Sequence, residues 1–234
     1  MESYDIRSKL QKLGNKQKAI VLQRFFKTGT GEYGEGDIFL GVRVPEVRKL
    51  AKEYKDIRIS DVRKLMESPI HEERLLALLI FVIKYSEGND LVKRRVYELY
   101  LKNTRHINNW DLVDLSAEKI VGDYLMDKSK KPLYNLAKSK SLWERRISII
   151  ATFHFIKQNK FAETLIIAEI LLTDKEDLIH KAVGWMLREI GKRHLPTEEK
   201  FLNEHYQEMP RTMLRYAIER FPESKRQGYL KGYL

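Results

Sequence analysis

Apolar residues recur at three- and four-residue spacing along most of this chain, in residues 10–26, 44–54, 74–85, 91–101, 112–125, 147–156, 161–172 and 182–190. That period gathers them on one stripe of an α-helix and predicts a succession of amphipathic helices. Stop and cap residues separate the stretches: Ser68-Pro69, residues 86–90, Lys131-Pro132, Thr173-Asp174 and Leu195-Pro196-Thr197. Thr197 followed by Lys200 is half of a capping pattern, because a capping box carries Glu or Gln there. One segment departs from the period. Residues 28–37 hold four of the twelve glycines, between Phe25-Phe26 and Ile38-Phe39-Leu40. They predict a loop or a small hairpin. Either it is a flexible linker, or its aromatic flanks pack and order an exposed loop, with Tyr33 as a candidate contact.

The helices repeat. Arg74 opens Arg-Leu-Leu-Ala-Leu-Leu and Arg146 opens Arg-Ile-Ser-Ile-Ile-Ala, 72 residues later. Trp110 lies 36 residues from each, and Lys181 follows Arg146 by 35. A period of this size falls in the range of helix-pair repeats, roughly 34 to 47 residues. The chain therefore reads as all-α, an α–α superhelix of about 12–14 helices in one HEAT-like repeat domain over residues 1–234. Equivalent positions of stacked repeats fall in a row on one face. Arg74, Trp110, Arg146 and Lys181 form the first such row, and Leu78, Asp114, Ile150 and Trp185 stand one turn later.

Charge suggests what that row meets. Lys and Arg number 44 against 33 Asp and Glu, a net charge of +11, which favours a polyanionic partner. The chain has no cysteine, so disulfides, thiol catalysis and Cys-ligated metal sites are excluded. The six histidines, His71, His106, His154, His180, His194 and His205, make no metal-binding spacing and read as surface or helix-end residues. The glycine pairs are followed by no Gly-Lys-Ser/Thr, so they form no Walker loop. No cofactor and no metal are expected. Residues 1–10 lack the apolar core of a secretory signal, and no stretch approaches the ~18 apolar residues of a membrane span. The expectation is a cytoplasmic monomer with no membrane partner.

Arg and Lys along a groove neutralise phosphates, Arg in bidentate fashion, and Trp offers a flat surface to bases or sugars. On this reading Arg74, Arg145, Arg146 and Lys181 contact DNA. Asp114 has no place in pure phosphate binding. Two roles fit it: a salt bridge to a row arginine such as Arg146, or chemistry on a developing sugar cation or a water. Trp110 and Asp114 are i and i+4 and share a helix face. Asp111, near the helix start, reads as structural. Glu118 follows Asp114 by one further turn.

Four segments in order resemble the AlkD-like DNA alkylation repair proteins. They are Phe39-Leu40-Gly41-Val42 with Pro45 and Arg48; Trp110-Asp111-Leu112-Val113-Asp114; Trp143-Glu144-Arg145-Arg146; and Lys181-Ala182-Val183-Gly184-Trp185-Met186-Leu187-Arg188-Glu189. The resemblance implies a HEAT-like solenoid and an alkylpurine DNA glycosylase that acts on double-stranded DNA without flipping the base. It implies that Trp110 and Trp185 cradle the deoxyribose, Asp114 is the catalytic carboxylate, and Arg146 clamps phosphate. Residues 28–37 depart from the family's pattern, and relatives with altered N-terminal regions bind branched DNA without excising bases. A non-enzymatic binder of branched or distorted DNA is therefore the alternative.

Overall fold

The computed structural model describes residues 3–233. Their regular structure is helical, and the parallel bridge Ile38–Ile70 is the one strand-like pairing among them. They gather into two compact units that divide between Ser116 and Ala117.

The first unit holds α1 (Ser3–Lys12), α2 (Lys16–Phe25), α3 (Val44–Glu53), α4 (Ile59–Met66), α5 (His71–Glu87), α6 (Asp90–Lys102) and α7 (Trp110–Ala117). The apolar stretch over residues 10–26 is two helices, because the chain breaks at Gly14 and Asn15 caps α2 by accepting from Lys18 N at 3.0 Å. Helix α5 is the centre of the unit. Every residue from His71 to Phe81 is buried, so it is surrounded by protein rather than amphipathic. Its polar first turn is buried too, and each group there needs a partner. Glu72 accepts from the N–H groups of Leu40, Gly41 and Val42 at 2.9, 2.8 and 3.2 Å, and Glu73 accepts from Arg7 at 2.9 Å. Gly41 has φ +80°, and a Cβ there would run into the Asn15 carbonyl, so only glycine suits the approach to α2.

Residues 28–37 form successive turns, with no hairpin strand. The loop braces itself: Glu32 accepts from Gly29 N at 2.8 Å, Glu35 accepts from Gly31 N at 2.9 Å, and Gly34 N donates to Lys27 O at 3.0 Å. The linker reading gives way to an ordered loop.

The second unit begins with a π-helical turn, Glu118–Gly122, and continues through α8 (Asp123–Leu125), α9 (Lys131–Ala137), α10 (Leu142–Ala151), α11 (Phe153–Lys157), α12 (Ala162–Ile170), α13 (Asp177–Gly191), α14 (Leu195–His205), α15 (Arg211–Ala217) and α16 (Glu223–Lys231). Pro132 and Pro196 open α9 and α14 in the first turn, where a missing N–H costs nothing. Thr197 lies inside α14 rather than capping it. The N-cap is His194, whose Nδ1 pairs with the Thr197 hydroxyl at 2.8 Å. Helix α13 packs against α10, α14 and α15. Gly184 sets its approach to α15, since a Cβ would strike Met213 O and Tyr216 Cβ.

Two outcomes follow. Gly184→Ala overpacks the α13–α15 contact and is expected to cost about 1–3 kcal/mol, read as a lower Tm; an unchanged Tm contradicts the close approach. Glu198 is 2% exposed and its Oε1 meets no hydrogen-bond donor among the described residues. Burial pushes its carboxyl up to about 8, aided by Glu199 and opposed by Arg188. A carboxyl raised in the folded state costs stability as pH climbs above its unfolded value, and the cost levels off above about 8. Glu198→Gln is therefore expected to stabilise by about 1–3 kcal/mol at alkaline pH and to give nothing below the ordinary carboxyl range. Thermal melts at both pH values check this.

Candidate functional site

Helix α7 carries the candidate residues of the first unit. Asn109 fixes its start: the side-chain oxygen accepts from Trp110 N at 2.9 Å, and Nδ2 donates to Asp37 at 3.2 Å. Leu112, Val113 and Ser116 are fully buried, which leaves Trp110, Asp111 and Asp114 half-buried on the opposite face. Trp110 stacks on Phe26 with ring centroids 5.1 Å apart, while Phe25 meets it edge-on at 5.9 Å. Phe26 stacks on Phe39 at 5.0 Å, and Phe39 on His71 at 4.3 Å. The Tyr100 hydroxyl pairs with Ser116 at 2.9 Å; burial raises its pKa, and the nearby charge of Asp114 adds to the shift.

Beneath this face lies a buried charge cluster. His71 opens α5, a helix end as its sequence context suggested, but it is 1% exposed and not at the surface. Its Nδ1 meets Asp37 at 2.9 Å and its Nε2 meets Asp111 at 2.8 Å. Burial alone would push the imidazole pKa down, but the bonds to Asp111 and Asp37 outweigh it and lift the value to about 9. Asp37 also accepts from Arg74 at 2.5 Å. Burial would raise the Asp37 pKa; His71 and Arg74 hold it below the usual range. Asp111 has the structural role expected of it, with a second bond from Leu112 N at 2.8 Å. With both imidazole nitrogens committed to carboxylates, this cluster offers no ring nitrogen to a metal.

The expected row of phosphate-facing arginines is not what the structure builds. Arg74 is 3% exposed and spends its guanidinium on Asp37 and on the Ser68 carbonyl at 3.0 Å. Arg145 chelates Asp174 at 2.6 and 3.3 Å and donates to the carbonyls of Ser139 and Lys140. Arg146 is 5% exposed and donates to Leu178 O at 2.5 Å. Leu78 and Ile150, one turn on, are core residues. The 36-residue register thus faces inward at Arg74 and Arg146, and its half-exposed members are Trp110 and Lys181.

In the second unit the half-exposed face of α13 carries Lys181, Trp185 and Arg188. Lys181 pairs with Asp177 at 2.7 Å. Trp185 donates from Nε1 to Glu189 at 3.2 Å, and its ring lies 5.9 Å from Phe153. Over Phe153 stand the Lys157 ammonium at 4.5 Å and the Arg193 guanidinium at 5.8 Å. Glu189 also holds Lys192 at 2.5 Å and Arg193 at 3.2 Å. Phe153, Lys157 and Arg193 escaped the sequence reading; the i, i+4 pairing of Phe153 with Lys157 was the visible signal. Glu118 is bound to Lys157 at 2.5 Å. Tyr33 is half-buried, 3.5 Å from the Phe25 carbonyl, with Lys27 5.9 Å from its ring.

A family model described as DNA alkylation repair enzyme matches residues 6–221. The chain belongs to the DNA alkylation repair enzyme family. All four sequence segments of the resemblance lie within the matched residues of this family member. A solved structure described as "Predicted DNA alkylation repair enzyme from Enterococcus faecalis" is 16% identical, with a TM-score of 0.68 over 90% of this chain and 97% of that one. At that identity the likeness shows the fold alone, the all-α helical-repeat class expected from the sequence. Among curated proteins, none matches this DNA alkylation repair family member. No helix among its described residues is long and apolar enough to cross a membrane.

The burial of Arg74 yields a test. Arg74→Met keeps the volume but strands the Asp37 charge, and is expected to cost about 3–5 kcal/mol in urea unfolding. Weakened DNA binding with unchanged stability would return Arg74 to the surface role.

Proposed function

We propose that this protein binds double-stranded DNA and hydrolyses the N-glycosidic bond of cationic N3- or N7-alkylated purines without flipping the base. The observation that carries the reading is the pairing of Trp110 and Asp114 on one half-buried face of α7, in a chain of this family. An alkylated purine leaves as a neutral base. The C1′–N bond breaks with its electron pair going to the purine, and C1′ becomes an oxocarbenium-like cation. Asp114 stabilises that cation and orients a water; the water oxygen bonds to C1′ and its proton passes to the carboxylate and then to solvent. Trp110 and Trp185 each offer a flat, half-buried ring to deoxyribose. Lys181 and the cations around Phe153 meet phosphates, while Arg146, buried, holds the Leu178 carbonyl instead of the phosphate the resemblance assigns to it.

The loop does not favour a purely DNA-binding role. Residues 28–37 carry Glu32, Glu35 and Asp37 and no Lys or Arg, so a phosphate backbone would be repelled there. Tyr33 is left as a neutral contact at its edge.

The test is release of free base from duplex DNA carrying N7-methylguanine. Asp114→Asn is expected to lower the rate by about 100-fold or more, with DNA affinity retained. Equal rates for wild type and variant contradict the reading.

A further inference from the structure

We infer that His71 is a positioning residue for this reaction: as a doubly hydrogen-bonded imidazolium it ties Asp37 to Asp111 and so fixes Trp110 and the first turn of α7. The inference rests on the reaction proposed above. Its geometry does not.

Both ring nitrogens of His71 meet carboxylates, at 2.9 and 2.8 Å. A neutral imidazole has one N–H, so one carboxylate would face a lone pair; only the protonated ring satisfies both. At 1% exposure, water has little access to replace a lost donor. The groups that face the ring are Asp37 from the glycine-rich loop and Asp111 from α7, with Arg74 on the far side of Asp37. Glu72, next along α5, is engaged by three backbone N–H groups. Two carboxylates, an imidazolium and a guanidinium balance. Loss of the His71 proton leaves one buried negative charge uncompensated, which is costly.

Two routes carry that cost to Trp110. The covalent one runs through Asp111, its neighbour, and through Asn109, which bonds both Asp37 and Trp110 N. The packed one is the ring stack from His71 through Phe39 and Phe26 to Trp110, at centroid spacings of 4.3, 5.0 and 5.1 Å. The His71 pKa is raised in the folded state. The stabilisation it brings is therefore complete below the ordinary histidine value of 6.5 and is lost as pH rises through about 9.

The experiment follows base release and DNA affinity across the window around pH 9 in wild type and His71→Gln, together with the Trp110 indole N–H signal by NMR, assigned with Trp110→Phe. Wild-type kcat is expected to fall as pH rises through that window. His71→Gln is expected to lose about tenfold or more in kcat, to bind DNA as before, and to lack the alkaline limb. The Trp110 signal should titrate with the same midpoint in wild type and not in the variant. Identical pH profiles in the two proteins, or a wild-type Trp110 signal that stays still across the window, overturn the inference. Should wild type release no base at all, the proposed reaction fails while the Trp110 titration still decides the positioning role. The same wild-type titration decides it if His71→Gln does not fold.

Discussion

Asp37 lies inside the protein and accepts from Arg74, His71 and Asn109. On that one buried carboxylate the half-exposed face of α7 depends. It closes the glycine-rich loop, meets the first turn of α5 through His71 and Arg74, and meets the start of α7 through Asn109. Desolvating so many charges is costly, and the cost is offset only while each keeps its partner. The cluster therefore specifies a geometry more than it adds stability. Its product is a helix whose inner side is core and whose outer side presents Trp110 and Asp114.

The second unit reaches a comparable result by packing. Gly184 lets α13 lie close against α15, and the buried residues Ala182, Val183, Met186 and Leu187 leave Lys181 and Trp185 on the outer face. Glu189 then organises the surroundings, taking the Trp185 indole N–H, Lys192 and Arg193. A carboxylate so placed keeps an indole and two cations together without neutralising the patch. The cations available to a phosphate backbone are the half-exposed lysines and Arg193, not the buried arginines that share the repeat position.

The helical class was legible because a three- to four-residue apolar period survives in any amphipathic helix. That Trp110 and Asp114 share one helix face was legible because i, i+4 spacing acts locally. The fate of Arg74 was not. Its partner Asp37 lies 37 residues earlier, within a loop whose own pattern suggested an exposed turn or linker and no buried carboxylate. The same holds for His71, whose partners stand 34 and 40 residues away. Arg146 donates to a backbone carbonyl, that of Leu178, which no side-chain pattern can reveal. A basic residue at a repeat position reads as a surface cation until the tertiary partner that buries it is known. Asn15 and His194 show the same limit at smaller scale, since a cap is decided by where the chain turns.

The most direct test of the central claim is a single-turnover reaction with protein in excess over duplex DNA bearing one N7-methylguanine. Bound DNA and released base are measured in the same sample, and the strand is weighed by mass spectrometry. The account predicts free N7-methylguanine and an intact strand lighter by that base. DNA that is fully bound and still carries the lesion would contradict it.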